Sequence, residues 1–205
     1  MLVVVGIDFD NTLVNYDDVF FQRALELGLI KDSTALNKRQ VRDQIRLLPE
    51  GELLWQQLQS YAYTSGMAQA RLIKGVKDFF IFCKKRNVQT YIVSHKTMYA
   101  SFVPGKINLR DIALDWMKTK GFFDPEGLGL NASQIYFEPT RAEKIKRIKA
   151  LGCTHFIDDL QEVFLEGEFP SNTRKVLYSP GLEQVPREDI SVAKNWEAIH
   201  EYIFN

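Results

Sequence analysis

The feature that most restricts the fold of this chain is a regular alternation of short apolar runs with stretches of helical period. Five runs have the length and composition of strands buried on both faces, at residues 2–7, 88–93, 134–137, 154–157 and 175–178. Strands that alternate with helices in this way form a parallel sheet. The pattern therefore predicts an α/β fold, a Rossmann-like parallel sheet with helices on both faces.

One long segment interrupts the alternation. Residues 16–73 contain no strand-like run and hold several helical patterns separated by Gly and Pro. We expect residues 15–74 to form a small helical cap inserted after the first strand, with residues 1–14 and 75–205 forming the α/β core. Ligands of such sheets bind beyond the carboxyl ends of the strands, so this insertion is expected to lie over the site as a lid. Residues 96–108 are a second candidate loop over it.

A last helix is predicted near the C-terminal end of the sequence. Ser191 is suited to be its N-cap, and Val192, Trp196, Ile199 and Ile203 are expected to face inward. The two cysteines, Cys83 and Cys153, lie far apart and outside any metal-binding spacing. We interpret both as buried thiols.

Composition narrows the class of protein. A chain of 205 residues with 45% hydrophobic and 25% charged residues is typical of a globular domain with room for a small insertion. The 26 basic residues equal the 26 acidic ones, so no net field attracts a nucleic acid or a membrane surface. The apolar runs are shorter than the roughly 18 residues that span a bilayer, and none resembles a secretory signal. We expect a cytoplasmic protein with neither nucleic acid nor membrane as partner, and the oligomeric state is not predicted.

Two carboxylates follow the first predicted strand. Side chains at alternate positions of an extended chain point to the same side, so Asp8 and Asp10 are predicted to share one site. The alternative is that Asp10, Asn11 and Thr12 are ordinary turn and helix-cap residues. The spacing itself is compatible with both interpretations.

Three further strand ends carry polar residues. Ser94 follows the second core strand, where it is either a cap or a group that holds a phosphoryl oxygen. Lys144 lies near the start of the helix after the next strand, and Arg141 competes with it as the cation of the site. Asp158 and Asp159 end the following strand, either as helix caps or as hard oxygen ligands of the kind that magnesium prefers.

The order of these four sites resembles that of the haloacid dehalogenase-like (HAD) hydrolase superfamily. The resemblance rests on the run from Asp8 to Thr12, on Ser94, on Lys144 and on the pair Asp158-Asp159. It spans the chain except for the insertion, which itself resembles a C1-type cap, and the C-terminal part. The resemblance implies phosphoryl transfer at one site built from these four segments.

The resemblance also implies a role for each residue. Asp8 is the nucleophile that forms an aspartyl-phosphate, and Asp10 is the general acid and base. Ser94 and Lys144 bind phosphoryl oxygens. The ligands of Mg²⁺ are Asp8, the backbone carbonyl of Asp10, and Asp158, with support from two further residues, Thr12 and Asp159.

The function implied is a magnesium-dependent phosphatase that hydrolyses a small phosphorylated metabolite. A phosphomutase or phosphotransferase of the same superfamily is one alternative, and a non-catalytic phospholigand-binding protein is another. Resemblance to dehalogenases or ion-pumping ATPases would predict a non-acidic residue at position 10, and the presence of Asp8, Asp10 and Asp158 speaks against a non-catalytic protein.

Some residues outside the four motifs are weaker candidates for substrate contact. Aromatic residues at helical spacing are more often part of a core, and arginines on a helix are usually solvated. His95 adjoins Ser94, and it either touches the substrate or is a simple surface or packing histidine. The candidates in the insertion are Arg42, Arg46, Trp55, Tyr61 and Tyr63.

Overall fold

The computed structural model describes residues 2–31, 35–103, 105–181 and 187–205. The chain forms two compact units. The first, which we call the sheet unit, comprises Met1–Leu13, Leu72–Lys96 and Lys118–Asn205. The second, which we call the helical unit, comprises Val14–Arg71 and Thr97–Met117.

Helices and strands alternate along most of the chain. Within the described residues no helix is both long enough and apolar enough to cross a bilayer. Short 3₁₀ turns occur at Met67–Gln69 and Ala132–Gln134. The elements in chain order are β1 (Val4–Ile7), β2 (Val14–Asn15), α1 (Asp17–Glu26), α2 (Lys38–Ile45), α3 (Gly51–Tyr63), β3 (Arg71–Leu72), α4 (Val76–Lys85), β4 (Gln89–His95), α5 (Leu109–Thr119), β5 (Ile135–Glu138), α6 (Arg141–Ala150), β6 (His155–Asp158), α7 (Gln161–Phe164), β7 (Arg174–Tyr178), β8 (Ile190–Ala193) and α8 (Trp196–Phe204).

The sheet unit is built on six parallel strands in the order β5-β4-β1-β6-β7-β8. Strand β1 lies inside the sheet, where Ile7 pairs with Ile92 of β4 on one side and with Ile157 of β6 on the other. The carboxyl ends of these three strands therefore meet at one edge. The predicted α/β class and its parallel sheet are confirmed, and the first strand lies between the two strands whose ends carry Ser94 and Asp158.

Helices cover both faces of this sheet. Phe156 of β6 packs in a buried cluster with Ile145 and Ile148 of α6 and with Phe164 of α7. The next side chain toward the amino end, His155, points to the other face, because neighbouring side chains of a strand alternate. There the His155 ring lies 6.3 Å from the ring of Tyr202 in α8.

The side chains of Phe156 and Cys153 pack directly against the backbone of β1 because residue 6 has no side chain. A Cβ atom at Gly6 would lie 2.6 Å from the ring of Phe156 and 2.8 Å from the sulfur of Cys153. Any larger residue at position 6 would displace these two buried side chains, next to the strands that lead to Asp8 and Asp158.

The C-terminal part of the chain differs from the prediction. The expected helix with Ser191 as its N-cap is wrong, because Ile190–Ala193 forms the sixth strand and Val176 of β7 pairs with Ser191. The helix begins at Trp196, and its cap is Asn195, whose side chain accepts a hydrogen bond from the N–H of Ala198 at 2.8 Å. Val192, expected on the inward face of this helix, lies in the strand instead, whereas Trp196, Ile199 and Ile203 are buried in α8 as predicted.

The helical unit includes a segment that the predicted division assigned to the core. Residues 97–117 pack with the insertion: the indole N–H of Trp116 donates to the carbonyl of Ala70 at 3.1 Å, and the hydroxyl of Ser60 donates to the carbonyl of Ser101. The two residues of each pair are more than 40 positions apart in sequence, so no local sequence pattern predicts these contacts. The division at residues 15–74 is therefore incomplete.

A lysine between aromatic rings holds α2 in the helical unit. The ammonium of Lys38 lies 5.7 Å from the ring centre of Tyr16, 5.2 Å from that of Phe20 and 5.5 Å from that of Tyr63. It also donates to the Tyr63 hydroxyl at 3.0 Å. Cations attract the faces of aromatic rings, most strongly where water is excluded. Lys38 thus fastens the start of α2 to the two neighbouring helices.

We expect Lys38→Met to lower the free energy of unfolding by about 1 kcal/mol, because methionine keeps most of the apolar stem and loses the charge. The melting temperature should fall by roughly 2–4 °C. The matched control is Arg39→Met, since the Arg39 side chain is 80% exposed. Thermal unfolding followed by circular dichroism measures both variants. An equal shift in the two would contradict the role of the rings.

Candidate active site

Asp8 lies at the carboxyl end of the central strand. Its backbone N–H donates to the carbonyl of Ile157 at 2.9 Å, which continues the pairing with β6 one residue beyond the strand. The loop that follows turns sharply at Asn11, whose φ is +59°, a conformation that Asn tolerates better than most residues. The indole N–H of Trp196 donates to the carbonyl of Thr12 at 3.2 Å. The Asp8 side chain is buried and its backbone is held on both sides.

Lys144 joins the ends of two strands. Its ammonium donates to Oδ1 of Asp8 and to Oδ2 of Asp158, each at 2.6 Å, and its side chain is only 2% exposed. The competing cation, Arg141, has a side chain that is 41% exposed and pairs with Glu166 at 2.9 Å. The structure therefore brings Lys144, and not Arg141, to the carboxylates at the sheet edge.

Burial and charge act in opposite directions at these groups. Burial raises the pKa of Asp8; Lys144 lowers it and Asp158 raises it again, so that the pKa reaches about 7. Asp10 adds a further rise, which places its charge near Asp8. Burial lowers the pKa of Lys144, but the carboxylates of Asp158 and Asp8 outweigh this effect and hold it above its ordinary value. Lys144 is charged at neutral pH, and one ammonium does not fully stabilise the Asp8 carboxylate.

A group of three carboxylates surrounds this point. Oxygens of Asp8, Asp158 and Asp159 all lie within 4.8 Å of one another. Asp158 is held in place at its other oxygen, Oδ1, which accepts the N–H of Leu160 at 3.0 Å. The hydroxyl of Thr12 donates to Oδ1 of Asp159 at 3.4 Å. Four of the predicted site residues therefore lie together, namely Asp8, Thr12, Asp158 and Asp159, and Asp159 is close enough to the other two carboxylates to be a ligand.

These donors fit a hard metal ion. Three carboxylates within reach of one another carry more negative charge than the single ammonium of Lys144 offsets, and such clusters in buried positions are usually balanced by a cation. The donor atoms are all oxygens, which hard divalent ions prefer. Burial is the main cause of the raised pKa of Asp8, and the nearby carboxylate of Asp158 adds to it.

Ser94 lies near the end of β4, on the other side of β1. It is buried two residues beyond Ile92, which pairs with Ile7. The next residue, His95, donates from Nε2 to the carbonyl of Pro139 at 3.1 Å. Burial lowers the pKa of His95. His95 is exposed, and its ring is tied to the loop after β5.

Sequence reasoning missed Lys96. Its ammonium binds Oδ2 of Asp10 at 2.6 Å, and its side chain is only 6% exposed. The signal in the sequence is its position directly after the second core strand, two residues beyond Ser94. A lysine there is usually solvated, and only the packed structure shows that it reaches the loop after β1.

The weaker candidates in the insertion have partners within the helical unit. Arg42 binds Asp43 at 2.7 Å, and Arg46 binds Glu52 at 2.7 Å. The remaining three are aromatic residues in ring contacts. Trp55 stacks on Phe20 with 4.8 Å between centres, Tyr61 lies 4.4 Å from the guanidinium carbon of Arg23, and Tyr63 binds Lys38.

The fold and the site together define a class of protein. Its members have a parallel α/β sheet, with carboxylates and one buried lysine at the carboxyl ends of the central strands. No family model matches the chain, and no curated protein matches it either. Solved structures do match along its whole length, and many of them are haloacid dehalogenase-like hydrolases. The chain has the fold of these hydrolases.

Three of the similar structures illustrate the likeness. A haloacid dehalogenase-like hydrolase from Streptococcus pneumoniae is 17% identical, with a TM-score of 0.58 and 98% of each chain covered. A subfamily IA, variant 1 hydrolase from Geobacter sulfurreducens is 14% identical, with a TM-score of 0.56 and coverage of 98% of this chain and 96% of that one. A HAD family hydrolase from Deinococcus radiodurans, with bound phosphate and sodium, is 14% identical, with a TM-score of 0.56 and coverage of 98% and 94%.

Proposed function

We propose that this protein is a magnesium-dependent phosphatase that hydrolyses a small phosphorylated metabolite through an aspartyl-phosphate. One observation carries the proposal: Asp8 is buried at the end of the central strand, bound to Lys144, with the Asp158 carboxylate bound to the same ammonium. The resemblance of the motifs and the likeness to HAD hydrolases, one of which has bound phosphate, support it.

In the first half of the reaction, a carboxylate oxygen of Asp8 attacks phosphorus. The bond from phosphorus to the ester oxygen breaks, and the departing oxygen takes the proton of Asp10, so the alcohol leaves neutral. Lys144 already binds Oδ1 of Asp8, and it can stabilise negative charge on the phosphoryl oxygens beside that carboxylate. The Ser94 hydroxyl supplies a further donor from the neighbouring strand end.

In the second half, the ionised Asp10 takes a proton from water as the water oxygen attacks phosphorus. The bond from phosphorus to Asp8 breaks, inorganic phosphate leaves, and Asp8 and protonated Asp10 are restored. A magnesium ion held by Asp8, the Asp10 carbonyl and Asp158, with Asp159 and Thr12 in support, would offset the charge of the phosphoryl group. Two steps with lower activation barriers replace the very slow direct hydrolysis of a phosphate monoester.

The direct test is release of inorganic phosphate from a panel of sugar phosphates, nucleotides and other small monoesters with magnesium present. We expect net phosphate release from at least one small ester and poor release from a folded phosphoprotein. Isomerised or phosphorylated product without free phosphate would favour a mutase or transferase. Binding of phosphoesters with no turnover would favour the non-catalytic alternative.

The metal assignment makes its own prediction. Chelator should stop turnover and added magnesium should restore it, while calcium should inhibit, because its larger and more flexible shell disturbs the in-line geometry. Asp158→Asn should raise the magnesium concentration needed for half-maximal rate by about tenfold or more, a typical effect of losing a group that orients or binds the metal. Asp189→Asn is the control, since that carboxylate is 45% exposed and binds Lys175 and Arg187. An equal rate of turnover with and without chelator would refute the assignment of a metal to this site.

A further inference from the structure

We propose that Lys96 is a positioning residue: it holds the carboxylate of Asp10 in the orientation from which a proton passes to the leaving oxygen. The inference rests on the proposed phosphatase function and goes beyond it, because neither the four motifs nor the fold assigns a role to this lysine. Its ammonium binds Oδ2 of Asp10 at 2.6 Å across the gap between two strand ends.

The backbone of Lys96 is fixed where β4 ends. Its N–H donates to the carbonyl of Glu138 at 2.9 Å, so the pairing of β4 with β5 continues through this residue. The preceding residue, His95, is tied to Pro139 of the same neighbouring segment. The side chain therefore starts from a rigid point and reaches toward the loop after β1.

The ammonium of Lys96 also contacts an aromatic ring. Its ammonium lies 5.4 Å from the ring centre of Phe9, the residue between Asp8 and Asp10. The Phe9 ring is fully buried and packs edge-on against Phe137 of β5, with 5.8 Å between centres. A cation over an aromatic face in a site closed to water gains more than one on the surface. Lys96 is thus an ordered partner for Asp10.

A partner that holds the Asp10 side chain matters because of the task proposed for that residue. A general acid has to stand about 2.6–3.2 Å from the atom that takes its proton, and a carboxylate can rotate away from that geometry. Asp8 forms an ion pair with Lys144, whereas Asp10 forms one with Lys96. Each of the two carboxylates is therefore held by a different lysine, which suits two different tasks in one reaction.

The competing role for Lys96 is direct binding of the phosphoryl group. Substrates with different leaving groups distinguish this role from the positioning role. The leaving phenolate of p-nitrophenyl phosphate is stable without a proton, whereas an alkyl leaving group requires one. If Lys96 acts through Asp10, Lys96→Met should slow enzyme phosphorylation by an alkyl phosphate by about 10²-fold, in the range of general acid catalysis. The same change should slow phosphorylation by p-nitrophenyl phosphate by less than about tenfold. The burst of released alcohol or phenol measures this step separately from hydrolysis of the aspartyl-phosphate.

A double-mutant comparison completes the test. In an Asp10→Asn background, Lys96→Met should change the alkyl phosphate rate by less than about twofold, because residues that act as a unit are not additive. Lys96→Arg should recover part of the alkyl rate, and Lys96→Gln gives a second charge-free variant if methionine disturbs folding, which circular dichroism detects. Equal losses for both leaving groups, or a full loss in the Asp10→Asn background, would overturn the positioning role and leave the phosphatase function intact. A wild-type protein that turns over no monoester would overturn both.

Discussion

Asp8→Asn should reduce phosphate release by at least about 10⁴-fold, because the amide has nearly the same shape as the carboxylate but is a poor nucleophile. The fold should persist. Burial and Asp158 raise the pKa of Asp8 to about 7, so above that pH the folded, metal-free protein holds an ionised carboxylate that its surroundings destabilise. The neutral amide should therefore leave the metal-free protein at least as stable as the wild type at pH 8.

The pH dependence of stability gives a second readout of the same substitution. Between pH 4 and 7 the folded state keeps the proton on Asp8 and the unfolded state has lost it, so this group makes the metal-free wild type less stable as pH rises. The difference in melting temperature between wild type and Asp8→Asn should change with pH in that window, in the direction that favours the variant at higher pH. Asp78→Asn is the control, an exposed carboxylate in the first turn of α4. Retained turnover in Asp8→Asn with an unaltered circular dichroism spectrum would remove Asp8 from the nucleophile role.

Lys144→Met should have the largest combined effect on stability and rate. Removing one partner of a buried ion pair typically costs about 3–5 kcal/mol, because the remaining charges are left uncompensated. Here Asp8 and Asp158 would both lose their ammonium and repel each other. We expect urea unfolding to show a loss of about 3 kcal/mol and kcat/KM to fall by about 10³-fold or more.

Arg141→Met is the matched control from the same helix. Its ion pair with Glu166 is exposed, and such pairs contribute at most about 1 kcal/mol. We expect stability and rate close to those of the wild type. If Arg141→Met lost the activity and Lys144→Met kept it, the cation of the site would be Arg141 after all.

The sequence predicts the site through one structural rule. Asp8, Ser94 and Asp158 follow apolar runs, and the carboxyl ends of neighbouring parallel strands lie at the same edge of a sheet. Finding these runs was therefore enough to bring the three residues together. The rule does not choose between Lys144 and Arg141, because residues three apart lie on the same side of a helix and only packing decides which one is covered.

Other features depend on contacts that no short segment contains. Ile190–Ala193 is a strand because β7 lies beside it, although Ser191 before the periodic residues of α8 is typical of a helix cap. Lys96 follows a strand like many solvated lysines, and only the loop after β1 gives it a partner. The segment 97–117 is assigned to the helical unit by contacts such as that of Trp116 with Ala70.

The hydrogen bond from Trp196 to the carbonyl of Thr12 joins residues 184 positions apart. Strand β1 likewise pairs with β4 and with β6, which both follow it in the sequence, and the first residue of β6 that pairs with it is His155. During synthesis Asp8 leaves the ribosome before the partners that shape its surroundings, which emerge one after another. Contacts of such high sequence separation form slowly and close large loops. The surroundings of Asp8 are therefore complete only when translation has passed residue 196, so a nascent chain carries the proposed nucleophile before the site around it has formed.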